Sequence, residues 1–319
     1  MSKYDLVIIG AGVAGMTAAI GAARQGVKNI LIIERETHLG GILNQLIHNG
    51  FGEKFLGTKI TGPEYIDFLK SEMHTLNIEV KLETTVLEVT REKVVTYVNP
   101  EEGVTEARAG CIIFAMGARE KFTGSVMVST NGLTGIFTLG EGQRQVNLEG
   151  YLPGGYTIIT ANNKWAFLVA RRLIIEGGRV EAVIIENSFD EMMNDEIKEI
   201  IHGFKIPVIE NSKIIEVDGK VRIESVKIMN IKDKSIVEKQ CDSLLLSVGF
   251  APDNALINKL KLDINKETLG PEVKDFQTSR DGFFACGNIL YGDKVFEIKE
   301  IDGLDCGIKA AKYIQKYIY

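Results

Sequence analysis

Cysteine is scarce in this sequence and nowhere paired. Cys111, Cys241, Cys286 and Cys306 are the four in 319 residues, with no C-x-x-C and no metal-ligand spacing. That pattern excludes a local disulfide relay and points to no metal site. Isolated thiols suit a reducing compartment, where free cysteine behaves as a small buried hydrophobe. Cys286 stands apart because its motif is expected near a cofactor. Long apolar runs are also missing: Leu6 to Ile9 and Ile112 to Phe114 are strand-length, far short of the roughly 20 residues that span a bilayer. No membrane span is expected. Basic charge is not in excess, since 37 Lys and Arg face 43 Asp and Glu for a net charge of -6. Nucleic acid is therefore not an expected partner. The opening MSKYDLVIIG enters a strand at once, without the charged and apolar regions of a signal peptide, and points to the cytoplasm.

What is there is apolar and glycine-rich: 45% apolar residues, enough for two α/β domains, and 33 glycines. DLVIIG (5–10) reads as a strand, MTAAIGAARQG (16–26) as a helix, and NILIIERE (29–36) as a second strand whose continuous β-branched run suits a parallel position buried on both faces. GGILNQLIHNGFG (40–52) reads as a loop near a ligand, and GPEYIDFLKSEMHTL (62–76) as a helix with proline near its start. An antiparallel excursion over 78–90 and 93–100 returns into CIIFAMG (111–117). The order then repeats: strand GYTIITANN (155–163), helix WAFLVARRLIIEGG (165–178), strand RVEAVIIEN (179–187) and closing strand CDSLLLSVG (241–249). GFFACGN (282–288) and a terminal helix over 301–318 belong with the first part. The expected fold is α/β, two Rossmann-like dinucleotide-binding domains with the second inserted into the first: 1–120 with 251–319, and 121–250.

The strongest chemical signal is G-x-G-x-x-G at Gly10, Gly12 and Gly15, between strand and helix, with Glu34 about 20 residues on. Gly10 permits the turn, Gly12 lets the backbone approach a diphosphate, and Gly15 lets the helix pack on the strand. The phosphates then meet the helix N-terminus. Glu34 would accept from ribose hydroxyls and repel a ribose phosphate, which excludes NADP there.

With those residues in place, the chain resembles the FAD/NAD(P)-linked oxidoreductases with two dinucleotide-binding domains, the thioredoxin reductase-like group, over nearly its whole length. Within it, GGILNQLIHNGFG, IFAMGARE (113–120), NLEGYLPG (147–154), LLLSVGFAPDN (244–254) and GFFACGNIL (282–290) resemble a narrower subfamily. Its members accompany anaerobic glycerol-3-phosphate dehydrogenase-like flavoproteins, with hydrogen cyanide synthase and amine or opine dehydrogenase subunits as more distant relatives. The resemblance implies FAD contacts at Gly10, Ala11, Gly12, Val13, Ala14 and Gly15, at Glu34 and Arg35, at Gly41 and Ile42 beside the flavin, and at Val86 near the adenine. It implies a second FAD strand at Ala115, Met116 and Gly117, a late motif at Gly287 with Asn288, where aspartate is commoner, and main-chain groups near Ile301 facing the flavin pyrimidine.

Two departures matter. Thioredoxin reductases proper carry a C-x-x-C in the second domain, and this chain has no cysteine between Cys111 and Cys241. Electrons must then leave FAD directly. The second-domain turn reads TANNKWAF (160–167) without glycine, so Ala161, Asn162, Asn163 and Trp165 would crowd a diphosphate. NAD(H) is therefore a doubtful second cofactor. Glu186 leaves open both a weakened NADH site and a solvated strand end. The stretch 289–302 offers Tyr291, Asp293, Lys294, Lys299 and Glu300 for proton chemistry, or simply a solvated face. His48, in the glycine-rich loop, is the one candidate catalytic residue, with a structural hydrogen bond as its equal alternative.

The expected function is an FAD-dependent oxidoreductase acting as an electron-transfer subunit beside a partner dehydrogenase, with FAD doing the redox chemistry. A protein redox partner is expected, and a homo-oligomer stays open. The alternatives are an autonomous NADH-dependent flavin reductase or oxidase, and a non-catalytic flavin-binding assembly protein.

Overall fold

The computed structural model describes residues 2–121, 129–130, 132–187, 194–297 and 302–317. It divides into two units, Met1–Arg119 with Phe250–Tyr319, and Glu120–Gly249.

In the first unit, β1 (Ser2–Ile9) leads through the glycine turn into α1 (Val13–Arg24) and then β2 (Ile30–Ile33). Helix α2 (Gly62–Thr75) starts on a capping box between Thr61 and Glu64, with Pro63 in its first turn. Strands β3 (Glu79–Lys81), β4 (Thr85–Val89), β5 (Val94–Asn99) and β6 (Gly103–Phe114) follow. The sheet order is β3-β2-β1-β6-β5-β4, and the strand Phe283–Ala285 pairs β6 on its far side. Pairing is parallel for β3-β2-β1-β6 and for Phe283–Ala285 on β6, and antiparallel for β4-β5-β6. The alternating run over 78–90 thus splits between the parallel edge and the antiparallel excursion.

The unbroken apolar strands are explained by burial on both faces. Leu6, Ile8, Ile32 and Ile113 enter a core with α1 and the C-terminal helix Asp302–Tyr317. Val7, Ile9, Leu31, Ile33, Ile112 and Phe114 enter another with Leu256 and Ile257. Small residues let the two helices close up: a Cβ at Gly21 would lie 2.5 Å from the Leu304 carbonyl oxygen, and one at Gly307 would overlap that of Ala18.

In the second unit, β7 (Ile136–Thr138), β8 (Tyr156–Ala161), α3 (Trp165–Ile175), β9 (Arg179–Ile185), α4 (Asp195–Phe204) and β10 (Val208–Ile209) are followed by β11 (Ser212–Gly219), β12 (Ile223–Asn230), β13 (Ile236–Gln240) and β14 (Ser243–Leu246). A parallel sheet runs β7-β14-β8-β9-β10. The antiparallel sheet β11-β12-β13 packs Ile214, Val217, Val226 and Ile228 onto Ile158, Ile184, Leu244 and Leu246 of the parallel sheet. No helix among the described residues is long and apolar enough to cross a membrane.

Candidate functional site

In the first unit, the carboxyl ends of β1, β2, β6 and Phe283–Ala285 converge on the first turn of α1. Gly10 takes φ +102, its amide donates to the Ile33 carbonyl at 2.8 Å, and a Cβ there would lie 2.5 Å from the Ala115 carbonyl oxygen. A side chain is excluded there on both counts. Gly12 is extended (φ -67, ψ 177) and is the N-cap of α1 without a side-chain cap. A Cβ at Gly12 would meet nothing within 4 Å, and the first turn carries no acidic residue. A Cβ at Gly15 would overlap the Gly10 carbonyl oxygen. The result is a helix N-terminus with orphan N–H groups facing open space, which suits an anion.

Three other segments complete the cluster. Glu34, buried at the end of β2, accepts from the Ala11 amide at 2.6 Å and the Glu36 amide at 2.9 Å. Gly40 donates to the Ala11 carbonyl at 2.8 Å, and a Cβ on Gly41 (φ +54) would lie 3.2 Å from Gly12 Cα. Ile42 beside it is 40% exposed, an apolar side chain available for a ring. Ala115, whose amide donates to the Ile9 carbonyl at 2.8 Å, brings Met116 and Gly117 (φ +74) alongside Gly10. Gly287 (φ +76) comes so close to α1 that a Cβ would lie 2.5 Å from that of Ala14.

Other expected contacts sit differently. Arg35 pairs with Asp253 at 3.3 Å, and Arg119 reaches the same carboxylate at 2.8 Å. Val86 and Met116 pack on the sheet face opposite α1. Val86 nevertheless follows Thr84, whose amide donates to the Glu34 carbonyl at 2.9 Å. Asn288 is half-buried. Ile301, Lys299 and Glu300 lie outside the described residues. His48 is half-buried, its Nδ1 lies 3.0 Å from the Asn49 carbonyl oxygen, and its ring tilts against Phe51 at 5.2 Å.

All four cysteines are free and buried. Burial pushes the Cys111 and Cys306 thiols up, and the Cys241 thiol up to about 12. Such thiols stay protonated and unreactive. Cys286 Sγ points at the Ala14 carbonyl oxygen, 3.8 Å away, and the residue is fully buried, so it serves the core behind the turn. In the stretch left open between proton chemistry and a solvated face, the Tyr291 hydroxyl donates to the Asp302 carboxylate, itself buried at the start of the C-terminal helix. Burial holds that phenol above its usual range. The Phe250 amide donates to Asp293 at 2.6 Å. Gly40 and Asp302 escaped the sequence reading. Doubled glycine at 40–41 was the one available signal, whereas the partner of Asp302 is set by the fold.

The second unit has a pocket of about 440 Å³ outside the carboxyl ends of β8, β9 and β14, lined by Thr160, Asn162, Ile184, Glu186, Ile214 and Leu246 among others. Open α/β sheets place ligands there. The turn into α3 is satisfied internally: the Ser247 hydroxyl donates to Asn162 Oδ1, and the Trp165 amide donates to Asn163 Oδ1 at 2.9 Å.

The profile of the pyridine nucleotide-disulphide oxidoreductase family matches residues 4–121 and 165–311. The chain belongs to that family. The "Ferredoxin--NADP reductase" of Picrophilus torridus is 26% identical over 335 residues, covering 100% of this chain and 95% of that protein. The "34.2 kDa protein in rubredoxin operon" of Clostridium pasteurianum is 24% identical, covering 98% and 97%. The crystal structure of T. acidophilum thioredoxin reductase superposes with a TM-score of 0.79 over 100% of both chains, at 18% identity. This member of the pyridine nucleotide-disulphide oxidoreductases has the thioredoxin reductase-like α/β fold and is an FAD-dependent oxidoreductase. The first-unit cluster fits that cofactor: α1 has an uncapped N-terminus, Gly12 leaves the space before it empty, and a carboxylate ends β2.

Proposed function

We propose that this chain passes electrons directly between FAD and a second redox protein, as the electron-transfer subunit beside a glycerol-3-phosphate dehydrogenase-like flavoprotein, with no disulfide relay. The observation that carries this reading is the burial of all four cysteines, none in a C-x-x-C. Bound FAD supplies the acceptance and release of electrons. The N–H groups at the start of α1 would hold the diphosphate, for which Gly12 leaves room. Glu34, whose carboxylate is tied to the Ala11 amide, would hold the ribose. Gly41, Ile42, Ala115 to Gly117, Gly287 and Asn288 would contact the rest of the cofactor. The rubredoxin-operon relative supports a protein redox partner.

A second reading, autonomous oxidation of NADH, draws on the relative called an NADP reductase and on Glu186 at the rim of the second-unit pocket. Anaerobic titration of the purified flavoprotein separates the two, followed through the flavin absorbance band. The proposal expects no bleaching by NADH or NADPH, full bleaching by dithionite, and co-purification of a dehydrogenase. Rapid bleaching by NADH, or a lone monomer with full turnover, overturns it.

A further inference from the structure

The two units carry the same βαβ frame at the same spacing, so their turns can be compared residue by residue. Ile9 pairs with Ile33 across β1 and β2, and Ala161 pairs with Ile185 across β8 and β9. Both pairs are separated by the same number of residues. Counting outward, Asn162 stands where the first unit has Gly10, Lys164 where it has Gly12, Phe167 where it has Gly15, and Glu186 where it has Glu34.

Each replacement removes part of a diphosphate cradle. Gly12 is extended (φ -67, ψ 177), whereas Lys164 is already helical (φ -62, ψ -21). The amide of Trp165, at the start of α3, is taken by Asn163 Oδ1 at 2.9 Å, while α1 has no side-chain cap. Asn162 Oδ1 accepts from the Ser247 hydroxyl and from Asn163 Nδ2. Phe167 is fully buried at the position where the first unit cannot hold even a methyl group. The Trp165 amide and the Asn162 side chain, at the positions that face phosphates in an intact cradle, are taken up by the turn itself.

The rest of the crevice survives. Ile184, Ile214, Val217, Leu244 and Leu246 contribute apolar wall to the pocket of about 440 Å³, and Thr160 and Ser212 contribute hydroxyls. Glu186 lies at its rim, exposed at the end of β9. Its carboxylate makes no hydrogen bond or ion pair among the described residues, unlike Glu34, which accepts from two backbone amides. A crevice with apolar wall, hydroxyl and amide groups, the Lys213 side chain and a free carboxylate suits a flat heterocycle carrying a diol.

We propose that the second unit binds a nucleoside, through its ring and ribose hydroxyls, at a crevice that no longer holds a diphosphate. The proposal is independent of the redox partner. It is tested by calorimetric titration of the FAD-loaded protein with adenosine and with ADP-ribose. Adenosine should bind, with a Kd within roughly threefold of that for ADP-ribose. Glu186→Ala should weaken adenosine at least tenfold while leaving the flavin spectrum intact. Glu186→Gln, which keeps an acceptor oxygen, should lie between. No adenosine binding, or ADP-ribose more than about tenfold tighter, overturns the proposal. Adenosine binding that responds to Glu34→Ala and not to Glu186→Ala also overturns it, and shows instead that the first unit was free of FAD. Bleaching by NADH without a partner would refute the partner reading and leave these affinity ratios to be judged by themselves.

Discussion

Adding a single methyl group at Gly12 should separate cofactor binding from stability. A Cβ there meets no atom within 4 Å, and the backbone is at φ -67 and ψ 177, which alanine adopts freely. Two small effects on the FAD-free protein oppose each other. Restricting the unfolded chain stabilises by about 0.4–1 kcal/mol, and alanine is a poorer N-cap than glycine by a similar amount. Gly12→Ala should therefore leave the FAD-free Tm within about 3 °C of the parent. The methyl group nevertheless fills the space in front of the orphan N–H groups of α1. Loss of an anion–helix contact worth up to about 2 kcal/mol should weaken FAD by roughly tenfold or more. Gly15→Ala supplies the contrast, because its methyl overlaps the Gly10 carbonyl oxygen, a backbone atom with no rotamer to give way. Overpacking of this kind costs about 1–3 kcal/mol, a fall in Tm of roughly 2–12 °C in the FAD-free protein. Calorimetric melts and fluorescence titration with FAD measure both quantities. The argument fails if Gly12→Ala keeps parental FAD affinity, or if it destabilises the FAD-free protein as much as Gly15→Ala does.

Other outcomes follow from burial. Desolvation raises the Glu120 carboxyl above its usual value of 4.5, against the lowering effect of bonds from the Thr138 hydroxyl and the Gly140 amide. A raised folded pKa means that the contribution of Glu120 is complete below the unfolded value and is lost as pH climbs through the folded one. The urea midpoint of the parent should therefore fall relative to that of Glu120→Gln as pH is raised from 4.5 toward neutrality, and parallel profiles would count against this. A thiol-reactive dye should find none of the four cysteines in native buffer and all four after unfolding. One rapidly reacting native thiol would reopen a thiol mechanism.

Much of this molecule was legible because its signals are local. The period of the apolar runs, the glycines of the first turn and the carboxylate at the end of β2 lie within one βαβ unit, where spacing along the chain is spacing in space. The lack of a C-x-x-C was equally plain. What escaped was the packing of the antiparallel sheet β11-β12-β13 on Ile158 and Ile184, the ion pairs of Asp253 with Arg35 and Arg119, and, at shorter range, the bond from Tyr291 to Asp302. A solvated face and a buried pair look alike in a stretch rich in lysine and glutamate, until the fold buries Asp302 at the start of the C-terminal helix.

The amino-acid sequence by itself determined that there would be two βαβ halves, one glycine turn intact and one replaced, because turn geometry and strand burial depend on neighbours a few residues apart. Only the tertiary structure decided what surrounds those turns. Pairing of Phe283–Ala285 on β6 sets Gly287 against Ala14 and turns Cys286 into the core, and the choice of Asn163 as a helix cap fills the second turn from within. Those outcomes depend on which surfaces remain to be buried once the sheets have formed, and that is a property of the whole chain.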